Sequence, residues 1–388
     1  MKKKIYPYLL LISCAGLIAI TYGLINIQGL FFDSISEELQ IGKGITAFYV
    51  TIVHISGAIF APVGVYLRTK YSVRKIILFD GLIVLASLLI MPRVTSVWQI
   101  YICAFAIGTG QGIYGHTMVV ELINRWFKKA STAIGISMCA SGIFGSIFSP
   151  IVVNSIVNNG WRNAYYIFAI CTAIVLIYSF IVIDDKPNRE MSIVKENKKE
   201  RVICKEMIYI ACFYLFTSSM ASMSNYILGY SLDIGLTMNQ GAVLSSVLNA
   251  GNTILKLILG VLCDAFGGLK AAIFAYGTIT FGVLSLLFVP ASKYVLLIIG
   301  TFLLGSTFAG SNVLTSAICR DMFGKENVGK YYAAITSLSV ISAFSATIIG
   351  FVYDVTNSYK YSIIGMHILI TVALVLVYIS FKRKRNSL

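Results

Sequence analysis

Gly251-Asn-Thr-Ile-Leu-Lys256-Leu-Ile-Leu-Gly260-Val-Leu-Cys-Asp264-Ala-Phe-Gly267-Gly-Leu-Lys270 is the stretch that decides the fold. Its residues are mostly apolar up to Cys263, an acid and two glycines then make room for a tight turn, and a second apolar run follows Lys270. Traced outward, the two runs cover 239–263 and 270–290. Each has the ~20 residues needed to cross roughly 30 Å of hydrocarbon. The stretch reads as two membrane helices joined by a short turn, and Lys256 is the residue that does not belong in such a helix.

The rest of the 388-residue chain has the same character. Hydrophobic residues make up 57% of it and charged residues 12%, against ~25% charged in a typical soluble protein. Mean hydropathy is +0.83. One compact core cannot hide that much apolar surface, so a water-soluble fold is excluded and a lipid bilayer is the expected solvent. Twelve runs of spanning length are predicted, at 6–32, 44–67, 75–92, 97–124, 131–156, 163–183, 207–232, 239–263, 270–290, 294–318, 329–353 and 361–381. Lys2 to Lys4 ahead of the first run imitate a secretory signal, but no small-residue cleavage site follows, and the run is expected to persist as the first membrane helix.

The net charge of +15 follows from topology. With the N-terminus cytoplasmic, 25 of the 31 Lys and Arg fall in inside segments, five (Lys43, Arg93, Arg162, Lys293, Lys360) fall outside, and Lys256 lies within a run. That split satisfies the positive-inside rule and predicts a multi-pass cell-membrane protein with both termini cytoplasmic. Nucleic acid is not needed as a partner to explain the charge. The eight cysteines form no Cys-x-x-Cys pair and read as small core residues. No metal and no cofactor is expected.

The longest polar stretch, Asp184 to Glu206, divides the chain into a six-helix half at 1–184, a cytoplasmic linker at 185–206 and a second half with a basic tail at 207–388. Landmarks recur between the halves. Asn26, Gly29 and Asp33 match Asn225, Gly229 and Asp233 at offsets of 199 or 200, and Lys75, Pro92 and Phe127 match Lys270, Pro290 and Phe323 at 195 to 198. A nearly constant offset marks an internal repeat. Doubled membrane chains of this kind bind near the midplane between repeats and move around that site. The fold class expected is all-α, with twelve transmembrane helices in two pseudo-symmetric bundles.

With these residues in view the chain resembles the major facilitator superfamily over almost its whole length. Gly260-Val-Leu-Cys-Asp264-Ala-Phe266-Gly267 is similar to that family's Gly-x-x-x-Asp-x-Phe-Gly loop. In the first half Val65, Thr69 and Ser72 replace its glycines and acid, while Lys70, Tyr71, Arg74 and Lys75 keep a basic turn. The loop's acid is expected to cap or to pair across the two halves. Arg125-Trp-Phe-Lys-Lys-Ala130 leading to Gly135, Gly142, Gly145 and Pro150, then Gly160-Trp-Arg-Asn-Ala-Tyr165, and Gly350-Phe-Val-Tyr-Asp354 with Ser358-Tyr359, resemble the branch of monocarboxylate porters and oxalate:formate antiporters. The resemblance implies conformational or gating roles for Gly260, Asp264, Gly267, Lys70, Arg74 and Arg125.

Lys256 stands eight residues before Asp264, about 12 Å from the membrane edge at 1.5 Å per residue. A charge at such depth costs roughly 2.5–3.5 kcal/mol. It reads either as a cation for an anionic substrate or as a structural, partly snorkelling lysine. The resemblance implies the former, since the porters carry a substrate-binding arginine four residues before the glycine of this loop. A lysine there is a point charge in place of a planar fork and implies looser carboxylate recognition. Asn252 and Asn26 occupy places where proton-coupled porters carry titratable groups, so that particular relay is absent. The exchanging branch has a second cation in the eleventh helix, where this chain has only Lys330 at the entry. One intramembrane cation fits one carboxylate.

His54 and His116 could hydrogen-bond a carboxylate or carry a proton, or join helices. Glu121 is placed to pair with Arg125 at i,i+4, and Asp80, near Lys75 in sequence, is expected to pair with it as well. Asn225, Ser222, Tyr226, Ser311 and Asn312 give two helices polar stripes suited to a wet cavity or to helix association. Gly110-Gln-Gly112-Ile-Tyr-Gly115 satisfies Gly-x-Gly-x-x-Gly, but it follows no strand and reads as close helix packing. No Walker A sequence is present. The expected function is non-enzymatic secondary transport, by alternating access, of a small organic anion, a monocarboxylate first. Lys256 is its main ligand, with Asn252, Asn26, His54, His116 and Asn225 around it, a coupled ion or counter-anion as partner, and a monomer as the unit. The alternatives are an exporter of a neutral solute or drug with Lys256 structural, and, further off, a membrane-embedded enzyme or receptor, which the lack of a clustered catalytic constellation opposes.

Overall fold

A computed structural model describes residues 2–127, 130–183, 204–324 and 328–386. All regular structure among the described residues is helical. Among these described residues, eleven helices are long and apolar enough to cross a membrane. Numbered by the twelve expected runs, they are span 1 (Tyr6–Leu39), span 2 (Lys43–Lys70), span 3 (Val73–Arg93), span 5 (Ala133–Asn159), span 6 (Trp161–Val182), span 7 (Lys205–Asp233), span 8 (Met238–Phe266), span 9 (Gly268–Phe288), span 10 (Ala291–Ala309), span 11 (Ala334–Thr356) and span 12 (Lys360–Arg383). The run expected at 97–124 is also helical but comes in two pieces, Val97–Ile113 and His116–Trp126, which together form span 4.

Backbone constraints explain the joints. Span 4 breaks at Tyr114-Gly115, where a Cβ on Gly115 would stand 2.2 Å from the Gln111 carbonyl oxygen. Spans 8 and 9 are separated by Gly267 at φ +86°, a conformation open to glycine. Span 8 begins with a capping box, in which the Thr237 hydroxyl accepts from the Gln240 N–H and the Gln240 side chain reaches back to the Thr237 N–H. Span 1 continues past its expected end at 32 because Phe32–Leu39 adds an amphipathic α-helical segment after a π-turn (Ala19–Gly23) and a 3-10 segment (Ile25–Phe31). Its pseudo-equivalent, span 7, has a 3-10 stretch at Ser222–Tyr226. Span 10 passes through a π-turn, Gly310–Leu314, before the helix Thr315–Phe323.

The chain forms two compact units, Met1–Glu196 and Asn197–Leu388, and six spans fall in each. Most of the linker expected at 185–206 lies outside the described residues. In each unit the second helix of the half crosses the fourth with close backbone approach. Between spans 2 and 4, a Cβ on Gly108 would lie 2.4 Å from the Val53 carbonyl oxygen and one on Gly112 would lie 2.4 Å from that of Gly57. The Gly-x-Gly-x-x-Gly sequence is therefore a helix-packing surface. Between spans 8 and 10, a Cβ on Gly251 would lie 2.1 Å from the Phe302 carbonyl oxygen. Away from these seams large apolar side chains such as Phe79, Ile102, Val261 and Val355 point outward, as a lipid-facing surface requires.

In the first unit the end of the bundle away from the terminus is tied by the Gly160-Trp-Arg sequence. The Trp161 indole N–H and the Arg162 guanidinium both donate to the Glu38 carboxylate. Arg162 also donates to the carbonyls of Pro92 at 2.9 Å and Val94 at 2.7 Å. The second unit uses aromatic contacts at the corresponding place, where Tyr353 stacks on Tyr359 at 4.3 Å and donates to Asp233 at 3.0 Å.

Candidate functional site

In the second unit, Lys256 is half-buried on span 8, and its ammonium lies 5.6 Å from the centre of the Phe308 ring on span 10. Phe308 sits in the short helix Thr307–Ala309, immediately before the π-turn. That turn is where Gly310 presses on Thr217 of span 7, with 2.6 Å from a built Cβ to the Thr217 Cβ. A cation held over an aromatic face is attracted by the ring quadrupole. Phe308 is thus one of the groups that engage the lysine.

One turn earlier, Asn252 is 1% exposed, and neither side-chain polar atom has a hydrogen-bond partner. The reason is packing: a Cβ on Gly305 would lie 2.5 Å from the Asn252 backbone nitrogen, so span 10 crosses directly over this residue. Asn225 lies in the 3-10 stretch of span 7, buried, with its Oδ1 unpartnered. Its neighbour Tyr226 donates to the Ala346 carbonyl, and Ser345 donates to Ser219 at 2.7 Å. The polar stripe on span 7 therefore bonds to span 11. The side chain of Asn312 lies outside the described residues.

In the first unit, the Nδ1 of His54 meets the Gln111 amide at 3.3 Å across spans 2 and 4. Gln111 packs on Gly57, where a Cβ would stand 2.6 Å from its Oε1. Gln111 was absorbed into the glycine motif in the sequence and missed as a polar contributor. Repeat spacing would have found it, because Gln111 and Phe308 are 197 positions apart, as are Phe105 and Phe302. His54–Gln111 and Lys256–Phe308 therefore occupy matching crossings. His116 is exposed at the start of the second piece of span 4, not inside a continuous helix. Asn26 is half-buried in the 3-10 segment of span 1.

Asp80 departs from expectation. It makes no ion pair with Lys75 among the described residues. It is 3% exposed, and its Oδ2 has no hydrogen-bond partner. Residues five apart on a helix face directions about 140° apart, so Lys75 points elsewhere.

The residues resembling loop motifs gather in a charged cluster in each unit. In the first, Arg125 donates to Glu121, as the i,i+4 spacing indicated. Arg68, which the sequence did not single out, adds an ion contact of 3.1 Å to Glu121 and donates to the Ile113 carbonyl at 3.3 Å. The Arg68 Nε and Glu121 Oε2 are close without hydrogen-bond alignment. Arg74 donates to the Ile183 carbonyl at 2.9 Å, and the Lys70 ammonium lies 4.7 Å from the centre of the Tyr66 ring. In the second unit Arg320 contacts Asp264 at 3.1 Å and Asp321 at 3.4 Å, and Asp321 accepts from the Gly268 N–H at 2.6 Å. The observed partner of Asp264 is thus a residue of its own half. Gly260 leaves open space beside Val313, at 3.9 Å from a built Cβ.

Comparison with known proteins places this arrangement. The Major Facilitator Superfamily family model matches residues 14–347 and 207–387. Monocarboxylate transporter 12 of Xenopus laevis is 22% identical over 91% of this chain and 84% of its own. The uncharacterized MFS-type transporter YhjX of Escherichia coli is 19% identical over 81% and 80%. The uncharacterized transporter ESBP6 of Saccharomyces cerevisiae is 22% identical over 70% of this chain, which spans only 42% of that protein's length. Among solved structures, the nucleoside transporter NupG superposes with a TM-score of 0.78 at 10% identity, covering 96% of this chain and 100% of that one. The D-xylose-proton symporter gives 0.76 at 13% identity, covering 96% and 97%. Helical content, spanning lengths and family match agree: the chain is a multi-pass membrane transporter that belongs to the major facilitator superfamily.

Proposed function

We propose that this transporter carries a small organic anion, a monocarboxylate, and that Lys256 receives its carboxylate. The observation that carries the reading is the position of Lys256, half-buried in an apolar helix and held against Phe308 beside a π-turn. π-turns recur at functional sites because they release backbone groups from the regular ladder. An ammonium attracts a carboxylate as a point charge and tolerates several approach directions, which suits small acids of varied shape. Asn252, Asn225, Asn26, His54 and His116 are the further polar candidates, and the loop residues Gly260, Asp264, Gly267, Lys70, Arg74 and Arg125 are proposed to set conformation during alternating access. Monocarboxylate transporters among the relatives support the reading. The cell membrane, cytoplasmic termini, a coupled ion or counter-anion and a monomeric unit belong to the same proposal.

A second reading has a specific observation in its favour. The cation–π contact gives Lys256 a partner within its own half, which fits a structural lysine in a carrier of neutral solutes. Counterflow of labelled short-chain carboxylates in proteoliposomes separates the two. Lys256→Gln is expected to lose anion counterflow, with Lys256→Arg retaining part of it. Equal counterflow by Lys256→Gln and the parent would assign Lys256 to structure.

A further inference from the structure

Three cations stand at the end of the first unit away from the N-terminus: Lys43, Arg93 and Arg162. Two of them have carboxylate partners. Lys43 meets Asp33 at 2.7 Å, and Arg162 donates to Glu38. Arg93 lies in the short 3-10 turn Met91–Arg93 that ends span 3, and it makes no ion pair or hydrogen bond among the described residues. The turn itself is fixed. Met91, Pro92 and Val94 are buried, and the Pro92 and Val94 carbonyls accept from Arg162, while Arg93 between them is exposed. A rigid turn thus presents one guanidinium with all its donors available to a group from outside the bundle.

Beside Arg93 a cavity of about 250 Å³ lies between span 3 and the first piece of span 4. One wall holds Ser87 and Ile90, and the other holds Gln99, Ile102 and Ala106, which are three or four residues apart and share a helix face. The groove opens outward, since Ile90 is 52% and Ile102 70% exposed. Its level in the membrane is marked by Trp98, 71% exposed and in edge contact with Tyr101 at 5.6 Å, because such aromatic residues gather at the headgroups. From Gln99 to Ala106 the groove descends roughly 10 Å at 1.5 Å per residue, about two-thirds of one leaflet's hydrocarbon. An apolar slot at that depth faces acyl chains and not water. The mouth selects what heads the chain. Gln99 Oε1 accepts from the Thr95 N–H at 2.7 Å, which leaves its amide N–H groups to donate beside Arg93. The Ser87 hydroxyl donates within its own helix, to the Ile83 carbonyl at 2.9 Å, and no acid is among the residues that line the cavity. A guanidinium and an amide donor above an apolar slot match a phosphate followed by a hydrocarbon tail.

We propose that this groove binds one anionic phospholipid from the leaflet at this end of the unit, with the phosphate on Arg93 and Gln99 and an acyl chain between spans 3 and 4. Basic pockets between membrane helices hold anionic headgroups in this way. The site belongs to the first half alone: at the offset of 198 that relates Pro92 to Pro290, the residue matching Arg93 is Ala291. It requires the membrane-spanning fold and is independent of the cargo.

Native mass spectrometry of the purified full chain in mild detergent, titrated with dioleoyl phosphatidylglycerol, tests the site. The parent is expected to retain one such lipid, and Arg93→Gln to bind it about tenfold more weakly, the effect of one charge-assisted contact. Arg93 is exposed, so this variant keeps the fold. Ala106→Phe fills the slot and is expected to lose the lipid as well. Lys293→Gln removes an exposed lysine from the matching turn of the second half and is expected to bind as the parent does. Equal binding by Arg93→Gln and the parent would overturn the headgroup contact, and undiminished binding by Ala106→Phe would overturn the groove as the seat of the chain. The same loss in Lys293→Gln would reduce the effect to diffuse surface charge and refute the site. Phosphatidylcholine held as tightly as phosphatidylglycerol would refute the choice of an anionic headgroup. Displacement of the lipid by millimolar inorganic phosphate would assign Arg93 to a free anion instead.

Discussion

Spans 2 and 4 in the first half and spans 8 and 10 in the second make the same crossing with different chemistry. In the first, Ser56 donates to the Phe105 carbonyl at 2.6 Å. In the second, Gly251 takes the place of Ser56 and the backbone closes until a Cβ would stand 2.1 Å from the Phe302 carbonyl. Elsewhere along these crossings the side chains differ, with His54 meeting Gln111 in the first half and Lys256 meeting Phe308 in the second. The repeat has kept the helix-to-carbonyl approach, which backbone packing enforces, while the side chains beside it have diverged. The fixed cation lies in one half, and the imidazole and the buried acid lie in the other.

The charged clusters show the same divergence at greater amplitude. Arg125 and Arg320 stand 195 positions apart, the offset that also relates Lys75 to Lys270. In the first half an acid sits between two arginines, with the Arg68 side chain 2% and that of Glu121 12% exposed. In the second an arginine sits between two acids, with the side chain of Arg320 33% and that of Asp264 78% exposed. Stranding a buried charge costs about 3–5 kcal/mol, and although Glu121 keeps Arg125, losing the nearly fully buried Arg68 takes away its more deeply buried contact. Arg68→Ala is therefore expected to cause the largest loss, as it also frees the Ile113 carbonyl beside the break in span 4. Thermal unfolding in detergent measures it. A shift no larger than that of a surface variant would mean that water reaches Glu121 and that the two clusters do not differ.

The crossings give the next largest effect. Gly251→Ala places a methyl against backbone that cannot swing away, and overpacking of this kind costs about 1–3 kcal/mol. Ser56→Ala removes one hydrogen bond at the matching place and costs about 1 kcal/mol. Unfolding midpoints of the two variants check the ordering. If Ser56→Ala proved the more damaging, the hydroxyl would be what holds the first crossing together, and close backbone approach would not be the shared principle.

The parts legible in the sequence were those written in hydropathy and spacing. Apolar run length marked the spans, a constant offset marked the repeat, and Lys256 stood out because topology had no place for it. The Glu121–Arg125 pair was legible from its i,i+4 spacing, and its partner Arg68 was not, because in sequence it merges with the basic turn at Lys70 and Arg74. The break at Tyr114 was hidden for a different reason: hydropathy continues across it, and Gly115 is one glycine among several. The final turns of span 1 escaped because Phe32–Leu39 alternates acids with apolar residues, which lowers hydropathy without ending the helix. Gln111 was hidden by its flanking glycines. It is visible only once the two halves are aligned and Phe308 is known to contact Lys256.

The smallest effect is expected at Arg320. Its bonds to Asp264 and Asp321 lie where solvent reaches both partners, and exposed ion pairs contribute about 0.2–1 kcal/mol. Arg320→Ala should lower the unfolding midpoint slightly, and the difference should shrink as salt is raised, since screening weakens exposed pairs and leaves buried ones nearly untouched. Arg68→Ala should show no such salt dependence. A salt-independent loss at Arg320 as large as that at Arg68 would show that the second half buries its cluster too. The inverted charges would then be two equivalent devices, and exposure would no longer distinguish the halves.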